Sequence, residues 1–179
     1  MKRLNRILVP TDLSEYSRRA LSYSCWLAAE ESTALIILHV THDLHAWEYY
    51  SDDLPLGYGQ SWPVDRVMAE ASLDLSRFLE PSLPDLKKAA AATKRVALGA
   101  VPRQIAAVAE EHKADLIIMS PRRRTGGLKH RLFGSVTDTV TRISPCPVLS
   151  IAPALPSAPW RGEWAPLLLP WLRRPTANV

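Results

Sequence analysis

Short apolar runs alternate with stretches of helical period along this chain. Ile7-Leu8-Val9, closed by Pro10, is too short for a helix and is predicted as a strand. Ser14 then has the chemistry of an N-cap, with Glu15 suited to a first turn, and Leu21, Cys25 and Ala28 recur at helical spacing up to about Glu30. Ala34 to Val40 is a second apolar run, rich in β-branched residues, predicted as a buried strand. Residues 42 to 62 break the pattern with acids, aromatics, Pro55, Gly57 and Gly59, and are predicted as a long loop. Val64, Val67, Met68, Ala71, Leu75, Phe78 and Leu79 form one stripe of a long helix, predicted to end at Pro81 and Pro84. Lys94 to Leu98 is a weaker third strand. Pro102 opens a helix that turns Ile105, Val108 and Ala109 inward. Asp115 to Met119 is a fourth strand, Val136, Val140 and Ile143 mark a last helix, and Pro147 to Ile151 is a fifth strand. Strands separated by helices imply right-handed crossovers, so the predicted fold class is α/β, an open five-stranded parallel sheet with helices on both faces.

The pattern stops near residue 153. Residues 153–179 hold six prolines and three of the six tryptophans, and no strong period survives that many prolines. The domain organisation read from this is one domain over residues 1–153, followed by a Pro/Trp-rich tail over 154–179. The tail carries Trp160, Trp164, Leu167, Leu168, Leu169, Trp171 and Leu172, followed by Arg173 and Arg174. So much apolar surface calls for cover. The tail either packs back on its own domain or a dimer mate, or sits at a membrane surface with its arginines on lipid phosphate.

Composition narrows the class. The chain has 179 residues, 47% of them hydrophobic and 22% charged, which fits one globular domain and excludes disorder along the whole length. Cys25 and Cys146 make no disulfide framework and lack zinc-site spacing, and the first residues lack a long apolar run before Pro10. A cytoplasmic location is therefore expected. No window of 18 apolar residues is present, so no ordinary transmembrane helix is predicted.

Chemistry in an open parallel sheet belongs beyond the carboxyl ends of the strands. Pro10-Thr11-Asp12, His39-Val40-Thr41, the loop after Met119 and the Gly134-Ser135 step into the last helix are expected to converge there. Asp12 reads equally as a ligand group aimed at the crevice and as a turn or capping residue. Gly134-Ser135 offers free amides and a hydroxyl to an anion, and is also what an ordinary cap looks like. His39, His42, His45 and Asp43 lie close in sequence, but no cysteine or HExxH spacing accompanies them, so no metal site is assigned. Cys146, between two prolines, reads as a buried structural thiol. No Ser-His-Asp order, nucleophile elbow or Walker loop is present.

These segments together resemble the universal stress protein family from about Arg3 to Ala152. The resemblance rests on ILVPTDLSE, ALIILHV, ADLIIM and, most specifically, GSVTDTVTRISPCPVLSI. It implies a strand order of 3-2-1-4-5 and a cytosolic homodimer paired through the fifth strand. It also implies an adenine-nucleotide site in which Asp12 and Val40 hold ribose and adenine, with Pro10, Thr11, Met119 and Val136 alongside. Nucleotide-binding members carry G-x2-G-x9-G-S/T around the phosphates. Here Gly134 and Ser135 match the last pair, but the first two glycines are replaced, by Pro121 and Arg124 in one register or by Ser120 and Arg123 in the other. Glycine permits positive φ and close approach of the backbone to phosphate, and these replacements do not.

The same loop is basic. Arg122, Arg123, Arg124, Lys129 and Arg131 sum to +5 with no acid among them, against +4 for the whole chain. It is either a solvated basic loop, or its guanidinium groups take over as phosphate partners beside Gly126 and Gly127. A nucleic-acid patch is disfavoured, because interleaved aromatics and a binding motif are missing. The expectation is a regulatory or stress-response module, not an enzyme, that requires no cofactor and has ATP or AMP as candidate ligands of a degenerate site. Two other classes stay open. One is an ATP-binding switch or weak ATPase that uses the Arg-rich loop. The other is a scaffold that docks an unidentified protein partner, or a membrane surface, through the tail.

Overall fold

A computed structural model describes residues 4–41, 64–121 and 135–151 of the chain. Strand β1 runs Arg6–Thr11, helix α1 Glu15–Glu31, and strand β2 Ala34–Thr41. Helix α2 is Val64–Leu79, followed by a 3-10 turn at Glu80–Ser82 and a single helical turn, α3, at Leu83–Leu86. Strand β3 is Ala91–Leu98, α4 Val101–Glu111, β4 Leu116–Met119, α5 Ser135–Ile143 and β5 Val148–Ser150. All pairings are parallel and the strand order is β3-β2-β1-β4-β5. Strand β1 is central. The chain winds to one side through β2 and β3 and crosses to the other through β4, which puts the topological switch point between β1 and β4.

Two apolar layers sandwich the sheet. Alternate residues Ile7, Val9, Leu35, Ile37 and Ile118 pack with Leu21, Cys25 and Ala28 of α1 and Leu75, Phe78 and Leu79 of α2. The intervening residues Leu8, Ile36, Leu38, Val40, Ile117 and Met119 pack with Ile105, Val108 and Ala109 of α4 and Val140 of α5. The central strands are buried on both faces, which is why they read as unbroken apolar runs. Helix α1 is capped at both ends. The Ser14 side chain accepts from the Ser17 amide, and Ser32, at φ 52°, closes the last turn by donating to the Ala28 carbonyl.

Several boundaries differ from the sequence expectation. Strand β3 begins at Ala91 and not Lys94, because Ala91, Ala92 and Thr93 pair with β2 while staying exposed, and an exposed edge carries no apolar signature. Val64 is 51% exposed, so the buried stripe of α2 starts only after its first turn, with Val67 and Met68 half-buried. Pro81 and Pro84 do not end the helical path. Each occupies a first-turn position of the next short turn, where an amide has no partner to lose. Ile143 is 45% exposed, and Thr137 takes its expected place on the buried face of α5. Cys146 is half-buried. The expected loop over residues 42–62 lies outside the described residues, as does the tail.

Candidate functional site

The turn from β1 into α1 is built by a closed set of side-chain bonds. Thr11 is buried at the end of β1, and its Oγ1 shares a hydrogen bond with Ser17 Oγ at 2.8 Å and accepts the Leu13 amide at 3.0 Å. Leu13 sits at φ 60°, a left-handed conformation that a branched residue adopts only when its neighbours hold it there. Asp12 Oδ1 accepts the Ser14 amide at 3.1 Å and also the Ser14 hydroxyl. Ser14 Oγ in turn accepts the Ser17 amide at 3.3 Å, and the Ser17 hydroxyl donates to the Ser14 carbonyl at 2.8 Å. Asp12 therefore does turn work, and its carboxylate is exposed at the carboxyl edge of the central strand.

Strand β2 reaches the same edge in register, with Pro10 opposite Leu38 and Thr11 opposite His39. His39 is half-buried and its Nδ1 lies 3.0 Å from the Thr11 carbonyl oxygen, which assigns the Nδ1 proton and ties the two strand ends together. Val40 is buried and faces the layer of α4 and α5, as does Met119 at the end of β4. Pro10 alternates with Thr11 and so faces that layer too.

Beyond Met119 the chain is held to the outer strand. The Ile151 amide donates to the Met119 carbonyl at 2.8 Å, and the Ser120 hydroxyl donates to the Ile151 carbonyl at 2.9 Å. Ser120 thus stitches β4 to the chain leaving β5, and Pro121 beside it is buried. These two residues stand where the two registers replace the first glycine. Ser135 opens α5 as an exposed residue, and Val136 is half-buried against the same layer as Val40 and Met119. Arg122, Arg123, Arg124, Gly126, Gly127 and Gly134 lie outside the described residues.

The site residues that are described therefore come from the carboxyl edges of β1, β2 and β4 and the start of α5. Ser17 escaped the sequence reading, since it carries only the signal of a serine one turn after an N-cap. The sequence places His39 and Ser120 at this edge but not their bonds to Thr11 and Ile151, because those partners depend on strand register. Among the described residues no group of three or more His, Cys, Asp or Glu could hold a metal. The two thiols are not activated. Burial is the main force raising Cys25, to about 11, with Asp85 adding to it, and burial likewise raises Cys146. No helix among the described residues is long and apolar enough to cross a membrane.

A family model described as the Universal stress protein family matches residues 3–151. The chain is 30% identical over 148 residues to the universal stress protein YxiE of Bacillus subtilis (strain 168), covering 82% of this chain and 98% of that one. It is 29% identical over 152 residues to the universal stress protein MJ0577 of Methanocaldococcus jannaschii, covering 82% and 93%. A solved structure of MJ0577 matches with a TM-score of 0.63 at 24% identity, over 86% of this chain and 99% of that chain. A universal stress protein solved in complex with cAMP matches with a TM-score of 0.60 at 24% identity, over 84% and 98%. These structural likenesses show a shared fold.

Proposed function

Since the chain belongs to the universal stress protein family over residues 3–151, we propose that it works as a dimeric regulatory module of the stress response whose adenine-nucleotide site has degenerated. The observation that carries this reading is the stitch at Ser120. A phosphate-wrapping loop needs glycine backbone free to approach its ligand. Here the position after Met119 holds a side chain committed to the Ile151 carbonyl, followed by a buried proline that has no amide to offer. Asp12, Val40, Met119 and Val136 lie toward one edge of the sheet, which is where a nucleoside would sit, and a universal stress protein of similar fold has been solved in complex with cAMP. Asp12 Oδ1 is engaged by Ser14 and His39 Nδ1 by the Thr11 carbonyl, so both groups have structural work in holding the strand ends and the turn.

Dimerisation belongs to the same reading. The two sheet edges differ in kind. Strand β3 carries exposed Lys94 and Arg95, which blunt pairing with another chain, whereas β5 presents Val148, Leu149 and Ser150 with no charge. The second copy pairs along β5. The residues matched by the family end at Ile151, which supports a domain boundary there and leaves the tail as an addition to the module.

Thermal unfolding with and without ATP, AMP or cAMP tests the reading. A ligand at a hundredfold excess over its Kd stabilises by about 2.7 kcal/mol. For a domain of this size that is a rise of roughly 5–10 °C. The expected shift at 1 mM (about 1 mM being the scale of a vestigial site) is under about 2 °C. A rise in the larger range would overturn the degenerate-site reading and favour the Arg-rich loop as a working phosphate clamp.

A further inference from the structure

Strand β5 spans three residues at one edge of the sheet, and it is held there by the ladder of a parallel pair. In such a ladder the bonds are evenly spaced, and each strand contributes every second residue. The Ile117 amide donates to the Pro147 carbonyl at 3.0 Å, and the Ile151 amide donates to the Met119 carbonyl at 2.8 Å. Continued by the same step, the next donor is the amide of residue 121 and its acceptor is the Ile151 carbonyl. That residue is Pro121, which has no amide to give. The Ile151 carbonyl is nonetheless satisfied, because the Ser120 hydroxyl donates to it at 2.9 Å. A side chain has taken over the bond that the neighbouring backbone cannot make.

Ser120 and Pro121 are the residues that replace the first glycine in the two registers, and here they act as a pair. Proline removes a ladder donor and serine returns one. The pair also bears on the open side of β5. Leu149 and Ile151 turn their backbone groups to β4, so Val148 and Ser150 present theirs to the edge. A strand this short keeps its line only while both ends are held. Ile151 is its held end, buried in the layer beneath α1, and its carbonyl without a donor would be a buried polar group left unpaired. An end that frays has to be ordered again before another strand can pair with it, and that ordering entropy is subtracted from the affinity once in each copy.

We propose that Ser120 and Pro121 form a latch through which the loop after β4 sets the strength of pairing between two copies, the Ser120 hydroxyl holding Ile151 on the sheet and so readying β5 as an edge. The latch rests on the reading that copies pair along β5, and it does not depend on nucleotide binding. Ser120 is in this sense a positioning residue for the interface, acting through Ile151.

Analytical ultracentrifugation of the full chain measures the dimer dissociation constant. The parent is compared with Ser120→Ala, with Ser120→Thr, and with Ser120→Ala combined with Pro121→Ala, each checked for folding by far-UV circular dichroism. Ser120→Ala should raise the constant roughly tenfold, since one modest bond is lost in each of the two copies. Ser120→Thr keeps the hydroxyl and should stay within about twofold of the parent. Adding Pro121→Ala to Ser120→Ala should recover most of the loss, because residue 121 then has an amide for the Ile151 carbonyl. A general weakening of the fold would not be reversed by a second truncation beside the first. A dimeric parent whose constant is unchanged by Ser120→Ala would overturn the latch and leave the pairing reading intact. A double variant as weak as Ser120→Ala alone would also overturn it, because the loss would then not pass through the missing donor. A parent that is monomeric would overturn the pairing reading itself, and the latch with it.

Discussion

Replacing Ser14 by alanine isolates the turn that presents Asp12. The Ser14 hydroxyl does two jobs, accepting the Ser17 amide as the N-cap of α1 and donating to Asp12 Oδ1. Loss of an N-cap serine costs about 1 kcal/mol, within a range of 0.5–2. The Asp12 bond adds a smaller amount, since the carboxylate is exposed and water replaces the hydroxyl. A total near 1.5 kcal/mol corresponds to a fall in Tm of roughly 3–6 °C. Asp12→Ala removes the acceptor of the Ser14 amide and hydroxyl and should cost about 1 kcal/mol. The double variant should fall short of the sum by about 0.5 kcal/mol or more, because the two side chains share one bond. Chemical denaturation of the four chains, read by far-UV circular dichroism, measures each term. Strict additivity, or a Ser14→Ala chain as stable as the parent, would refute the linked turn and return Asp12 to the role of a freestanding ligand group.

Two further outcomes follow from the edges and the core. The ladder bonds from the Ile117 amide to the Pro147 carbonyl and from the Ile151 amide to Met119 show that odd-numbered residues of β5 face β4, so the amides of Val148 and Ser150 face the open edge. Ser150→Pro should therefore halve the mass seen by light scattering at about 10 μM, a working concentration for a specific dimer, while a parent that is already monomeric there would refute pairing through β5. Burial raises Cys25 from 9.0 to about 11, so the stabilisation from its neutral thiol is complete below pH 9.0 and is lost as the pH rises through the folded value. Cys25→Ser should accordingly flatten the fall in stability between pH 9.0 and about 11, and an unchanged pH profile would contradict that burial.

The central architecture was legible because buried strands advertise themselves. Ile7 to Val9, Ala34 to Val40 and Leu116 to Met119 are apolar on both faces, and only a parallel sheet covered on both sides buries them. The edge was not legible. Ala91 to Thr93 pair through their backbone while their side chains stay in solvent, so no pattern announces them. Helix faces were misjudged where apolarity and position part company. Thr137 is buried on α5, while Ile143, the last residue of that helix, is exposed. At the site, the Asp12–Ser14 turn followed from local sequence, while the Thr11–Ser17, His39–Thr11 and Ser120–Ile151 bonds join residues that only the folded chain brings together.

The degenerate site is tested most directly by isothermal titration calorimetry of the full chain with ATP, AMP and cAMP, beside two double variants that restore the lost glycines. These are Pro121→Gly with Arg124→Gly, and Ser120→Gly with Arg123→Gly. The parent should give no saturable heat, its Kd lying above about 1 mM. One of the two variants should bind at least about tenfold more tightly, a gain of about 1.4 kcal/mol. A parent that binds any of the three in the low micromolar range, and loses that binding when Arg122, Arg123 and Arg124 are replaced by alanine, would contradict the claim.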